Sequence, residues 1–342
     1  MKRKSYGFLS VPIAIIVFLF MTGVGICDVQ RTLVTMTIDL SSHGSNEEAM
    51  LWLPYPVSDA YQLITNVKID GTYSSHGFYT DQEFGNHILY AYWPKGKKDR
   101  RLSLSFEVTR WERKDKALSD SGCVDKVFLA KYLKGSKLAP INEAVKALSQ
   151  EITKGKHGTL EKARSIYLWV AKNMRRDPKT KGCGRGNVCL LLSKKSGKCA
   201  DIHSVFVALL KGAGIPAREV FGLRLAKTDG VNITKWQHCW AEFYVPGYGW
   251  FVADPGDYLK ALLKKKLCYA SPEAKALLSY YFGAVDPYRI KFGTGRDINL
   301  NPKNKKGPLN YFMYPYAEIG GRPLDPLAPE KFSYEIVQRN LE

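Results

Sequence analysis

Acidic side chains are scarce in this chain: 51 Lys and Arg stand against 32 Asp and Glu in 342 residues, a formal charge of +19. No loop carries the regularly spaced acids of a calcium-binding loop, so calcium chemistry is not expected. There are seven cysteines, but no two have the close two-residue spacing of a structural zinc knuckle. A zinc site from Cys183, Cys189, Cys199 and His238 is conceivable, but Cys239 could not join His238 on one ion, because strand neighbours point to opposite faces. No metal and no other cofactor is expected.

Long uncharged apolar runs are also lacking, apart from Phe8 to Ile26, which follows Lys2-Arg3-Lys4. That order of charge and apolar core is the pattern of a secretory signal, with small residues before Cys27 where a signal peptidase reads. Residues 1–27 are therefore expected to direct export to the periplasm or the exterior. Retention as a membrane anchor is the alternative, and lipidation of Cys27 is disfavoured by Ile26. Membrane contact is expected only if this segment is retained. Removing it takes away three cations and no acid, leaving +16. An exported protein that basic is drawn to anionic cell-envelope polymers, not to nucleic acid.

From Asp28 to about Lys114 apolar residues alternate with polar ones. Val34, Met36, Ile38 and Leu40 form one such series, and Leu102, Leu104, Phe106 and Val108 another. Period two with turn residues between runs predicts an antiparallel β-sandwich over 28–114, with further strands at Met50–Leu53, Tyr61–Ile69 and His87–Trp93. Its histidines, His43, His76 and His87, are isolated, so the domain reads as a positioning or substrate-binding module.

A connector over 115–138 leads to a second domain, 139–342. Helices are expected at Pro140–Lys154 and Thr159–Arg175, the second with Thr159 as N-cap and a stripe of Leu160, Ala163, Tyr167, Val170 and Met174. Further helices follow near Leu259–Tyr281. Strands at Arg289–Leu300, Asn310–Ile319 and Phe332–Arg339 are expected to complete the sheet of this domain.

The chemistry is concentrated between 197 and 255. Ile202, Phe206, Leu209 and Leu210 recur with helical spacing after Ser196-Gly197, which puts Cys199 in the first turn of a helix. Free N–H groups and the helix dipole there favour thiolate over thiol. His238 to Tyr244 and Trp250 to Asp254 read as a hairpin about Pro246-Gly247, which sets His238 opposite Asp254 on one face. A thiol, an imidazole and a carboxylate so arranged supply nucleophile, base and orienter. His203 lies one helical turn from Cys199, in a supporting or packing position. Trp240 and Glu242 share the face of His238, Trp240 as a wall against water and Glu242 as a hydrogen-bonding neighbour or structural support.

These residues resemble the transglutaminase-like superfamily, and the likeness covers about Leu160 to Pro255. It extends, as in secreted bacterial members, to Gly182-Cys183-Gly184-Arg185-Gly186, Arg296-Asp297 and Asn310 to Glu318. The resemblance implies an α+β, papain-like catalytic domain behind the sandwich, with Cys199 as nucleophile, His238 as base and acid, and Asp254 as orienting carboxylate. It implies acyl-thioenzyme chemistry on a peptide or protein amide, as hydrolase or acyltransferase. An inactive adaptor binding an envelope polymer through the same groove is the alternative reading.

Overall fold

A computed structural model describes residues 28–117 and 120–341; the expected signal segment lies outside them. Six strands open the chain: β1 (Val29–Asp39), β2 (Ala49–Pro54), β3 (Gln62–Gly71), β4 (Ser75–Thr80), β5 (His87–Trp93) and β6 (Arg101–Trp111). The alternation does what period two requires: Val34, Met36, Ile38, Leu104 and Phe106 are fully buried, while their neighbours in sequence face outward. Burying each such side chain contributes about 1.5–3 kcal/mol.

Next come α1 (Glu143–Thr153), α2 (Gly158–Asn173) and α3 (Cys199–Gly212), then β7 (Ala217–Arg224), β8 (Gln237–Val245) and β9 (Gly249–Ala253). Helices α4 (Pro255–Lys265) and α5 (Pro272–Tyr280) follow, and β10 (Arg289–Thr294), β11 (Tyr316–Ile319), β12 (Arg322–Pro323) and β13 (Ser333–Asn340) end the chain. The fold is α+β, with a β-rich region preceding the core domain.

The antiparallel sheet β9-β8-β7-β10 packs against α3, whose Val205, Phe206 and Leu209 share one apolar core with Ala241 and Phe243 of β8 and with Tyr167 and Val170 of α2. The stripe expected on α2 is therefore core, but its cap is not Thr159. Thr159 lies inside the helix, and the Asp120 carboxylate, from the connector, accepts from the N–H groups of Thr159 and Leu160 at 2.6 and 3.2 Å. An acid distant in sequence satisfies the exposed donors that a local cap would otherwise take.

The end of the chain departs from expectation. Of the three C-terminal segments only β10 joins the sheet of the core domain. Strand β13 pairs with β1, giving the order β13-β1-β6-β3, and β11 pairs with β2, giving β12-β11-β2-β5-β4. These two sheets face each other across Met36, Leu51, Leu89, Phe106, Ala317 and Ile336. Alternation in a sequence fixes which face of a strand is apolar but does not fix the partner strand, so β11 and β13 could pair away from the core-domain sheet without any change in pattern.

Candidate active site

Cys199 is the first residue of α3, and a glycine loop explains how it is held there. The Cys183 carbonyl accepts from the Ala200 N–H at 3.0 Å, while the Asp201 carboxylate accepts from the N–H groups of Gly186 at 2.8 Å and Lys198 at 3.1 Å. Gly184 has φ +90°, and a Cβ there would lie 1.9 Å from an Asp201 oxygen, so only glycine lets the loop wrap this helix end. Arg296 fixes the loop from behind: it donates to the Arg185 carbonyl, to Asn310 and to Glu219, and it also touches Ser204. Tyr311 donates to the Gly184 carbonyl at 2.7 Å. Gly182–Gly186, Arg296 and Asn310–Tyr314 thus form one clamp around the start of α3. The Ala200 N–H is engaged by Cys183, so of the N–H groups at this helix start that of Cys199 is the candidate donor to an oxyanion.

Cys199, Cys183 and Cys239 lie together, buried, with Phe221 and Tyr314. Hydrogen bonds from Cys183 and Cys239 lower the Cys199 pKa well below its ordinary value; burial opposes this, and His238 assists through a hydrogen bond and its charge. The two neighbours are held as thiols: interaction with Cys199 and burial push Cys183 up, and burial pushes Cys239 up. All six cysteines among the described residues are free, with Cys123, Cys189 and Cys268 exposed.

His238, in β8, is buried beside the same cavity as Cys199. Its Nε2 lies 3.0 Å from Arg224 Nη2, 3.4 Å from Asp254 Oδ2 and 3.5 Å from Asp257 Oδ2. A donor and two acceptors compete for one nitrogen. Arg224 suits an unprotonated Nε2, and the carboxylates suit an Nε2–H, so the surroundings accommodate both imidazole and imidazolium.

Asp254 meets His238, but not through the expected register. Ala241 pairs with Ala253, Tyr244 with Trp250 and Val245 with Gly249, so the hairpin folds about Gly247, through a three-residue loop. Extending this register puts Trp240, not His238, directly across from position 254. The pairing shift is two residues, which leaves the facing parity unchanged. Asp254 has also left the strand: it is the N-cap of α4, its Oδ1 accepting from the Asp257 N–H at 2.7 Å. The same Oδ1 accepts from His203 Nε2 at 3.0 Å, and Oδ2 accepts from Arg289 Nη1 at 2.7 Å. Burial alone would raise the Asp254 pKa, but hydrogen bonds from His203 and His238 and the charge of Arg289 hold it well below the usual carboxylate range.

The supporting residues separate. His203 belongs to the site: its Nε2 lies on Asp254, and its Nδ1 lies 3.4 Å from Cys239 Sγ. Trp240 is buried with its ring 6.4 Å from that of His238 and with Arg289 over its face at 5.5 Å, so it walls the imidazole. Glu242 does not reach the site. It is buried between Arg113 and Arg218, at 2.6 Å from each, and ties β8 to the segment that leaves the sandwich.

Arg224 and Arg289 escaped sequence reasoning, since a lone arginine carries no motif. Arg289 donates to Asp254, Asp257 and Asp286, and Arg224 contacts Asp257 and Asp286. His238, Asp254 and Asp257 are close enough together to suggest a cation site. The carboxylate oxygens that face His238 already bind these guanidinium groups, so the donor set does not fit a metal ion.

Comparison with known proteins agrees with this architecture. The transglutaminase-like superfamily core model matches residues 146–255. An uncharacterized protein of Haemophilus influenzae is 34% identical over 337 residues, covering 90% of each chain. The crystal structure of a cysteine-protease candidate from Cytophaga hutchinsonii superposes with a TM-score of 0.57 at 13% identity, covering 92% of each chain, and shares the fold. The periplasmic domain of TgpA from Pseudomonas aeruginosa matches 67% of this chain and 88% of its own, at 17% identity and a TM-score of 0.37.

Proposed function

The chain belongs to the transglutaminase-like superfamily, and from that premise we propose that it is an exported cysteine hydrolase of amide bonds in peptides or proteins. The observation that carries the reading is the convergence of Cys199, His238 and Asp254 from a helix start, a strand and a helix cap, with hydrogen bonds that lower the Cys199 pKa well below its ordinary value.

The thiolate of Cys199 attacks the amide carbonyl carbon; a C–S bond forms and the carbonyl electrons move onto oxygen, toward the Cys199 N–H. The imidazolium of His238 gives its proton to the amide nitrogen. The C–N bond then breaks, releasing an amine and leaving a thioester. Water attacks the thioester, His238 takes its proton, and loss of the thiolate gives the free acid. Asp254 and Asp257, which face Nε2, hold the ring and its positive charge during these steps.

Hydrolysis is favoured over amine transfer because Trp240, the residue best able to exclude water, packs behind the imidazole, while the exposed Lys235, Trp236 and Lys264 line the route to the thiol. Transfer needs a thioester shielded from water. An adduct trapped on Cys199 from a pool of envelope peptides, identified by mass spectrometry, tests the reading. A thioester-linked fragment lost in Cys199→Ala is the expected result; binding of the pool without any adduct would make the protein an adaptor. Incubation of the acyl donor with excess lysine-like amine should give mainly free acid, and mainly amide product would make it a transferase.

A further inference from the structure

The cavity that reaches Cys199 has a volume of about 370 Å³, and its charged lining is of one sign. Arg176, Lys198, Arg224, Lys235, Lys260 and Lys264 line it beside Cys199 and His238, and no Asp or Glu does. With 51 Lys and Arg against 32 Asp and Glu in the chain, six charged residues drawn at random would include about two acids. The lining is therefore more than a sample of a basic surface, and low-dielectric walls concentrate its field.

Most of this charge is unneutralised. Arg224 is balanced by Asp257 and Asp286, whereas the other five form no ion pair among the described residues. Arg176 has a buried Nη1 without a hydrogen-bond partner, an arrangement that leaves a donor waiting for an acceptor. Burial lowers the Lys260 pKa although Asp257 opposes it, so the protein bears a cost in gathering these cations here.

Two further cavities share lining residues with the first. One shares Lys198 and Lys235 and adds Tyr314 and Leu327; the other shares Arg176 and adds Leu259 and Leu262. Neither is lined by an acid. The cavity at the thiol is thus joined, through shared lining residues, to two others that add apolar walls to its cationic ones. Apolar walls suit the side chains of a peptide better than the evenly charged backbone of a phosphate polymer.

Resting on the hydrolase reading above, we infer that the acyl donor is an acidic peptide whose carboxylates flank the scissile amide and seat against Arg176, Lys235, Lys260 and Lys264. The amide supplies the reacting carbonyl, and the flanking carboxylates hold it over Cys199.

The test uses the full chain carrying Cys199→Ala, so that binding is read without turnover. Labelled peptides bearing Asp and Glu are compared with the same peptides bearing Asn and Gln. The acidic set should bind about tenfold more tightly or better at low salt, and the advantage should shrink as ionic strength rises. Adding Lys235→Glu and Lys264→Glu should abolish the preference and improve binding of a basic peptide; both lysines are exposed, and the thermal midpoint serves as the control for folding. Equal binding of acidic and neutral peptides overturns the inference, as does polyphosphate binding more tightly than any acidic peptide. Turnover by the unmodified protein separates the two readings. Acidic peptides that bind the Cys199→Ala chain but never acylate the intact one leave the anionic site standing and remove the hydrolase. Neutral peptides cleaved as well as acidic ones leave the hydrolase and remove the acidic specificity.

Discussion

The two sides of the His238 ring are opposites in charge. Behind it, Asp254, Asp257 and Asp286 are interleaved with Arg224 and Arg289, all in buried or nearly buried contacts. Toward Cys199, Arg176, Lys198, Lys235, Lys260 and Lys264 line the cavity with no acid between them, and Arg224 alone belongs to both sets. Charges behind the ring are spent on one another and so fix geometry; those in front remain available to a ligand. Removing one member of a buried, paired set leaves an uncompensated charge, which costs about 3–5 kcal/mol, whereas an exposed cation can be removed at little cost to the fold.

The largest effect is expected at the carboxylate itself. Asp254→Asn should lower turnover by about 10³–10⁴-fold through loss of the imidazolium partner, read as kcat on a confirmed acyl donor. Undiminished kcat would dissolve the distinction between the two sides. Asp254→Ala should also destabilise the fold, because the buried Arg289 loses one of its three carboxylate partners. Both members of the Asp254–Arg289 pair are fully buried. The sign with pH follows from the depressed pKa of Asp254. Its contribution to stability is present above about pH 4, the unfolded value, and is lost as pH falls through the folded value. Acid unfolding of Asp254→Asn should lack that part.

Arg289→Met comes next. Three carboxylates would face a single guanidinium, and urea denaturation should report a loss of about 3–5 kcal/mol. A loss under about 1 kcal/mol would show that the arginine is dispensable behind the ring.

A smaller effect concerns the thiol. Cys199 should be alkylated faster than Cys123, Cys189 or Cys268 at neutral pH, and its rate should fall by less than the roughly tenfold per pH unit expected of an ordinary thiol below about pH 8.5. His238→Ala should slow the reaction by about tenfold or more; equal rates in the two proteins would separate imidazole from thiol. The smallest effect is in front: Lys264→Gln should leave the thermal midpoint unchanged and weaken only the binding of acidic peptides, whereas a drop of several degrees would make that cation structural.

How much of this was legible beforehand depended on whether the signal was local. The alternation in β1 and β6, the apolar stripe of α2 and the helix start at Cys199 are written in neighbouring residues, and the structure has them all. The meeting of His238 with Asp254 was legible through parity, although the three-residue loop moved the hairpin centre by one position. What escaped depends on distant packing. Arg289 reaches Asp254 across 35 positions of sequence, Asp120 caps a helix 39 positions away, and β13 crosses the whole chain to find β1. Even Asp257, one turn along α4 from Asp254, gains its place near His238 only because α4 begins where it does.

That last crossing has a consequence for how the protein is made. Strand β1 lies between β6 and β13, and residues 333–340 are the last of the described strands to leave the ribosome. Until they arrive, β1 presents an open hydrogen-bonding edge, and the sheet that begins at Val29 is closed only by the end of the chain. Domains fold as units in the order of synthesis, but this one encloses the 143–294 region between its own halves, so its completion waits on residues 333–340. The segment bearing Cys199 is made before the sandwich closes, and a chain interrupted short of Ser333 carries it on a scaffold with an exposed β edge, prone to pair with another chain.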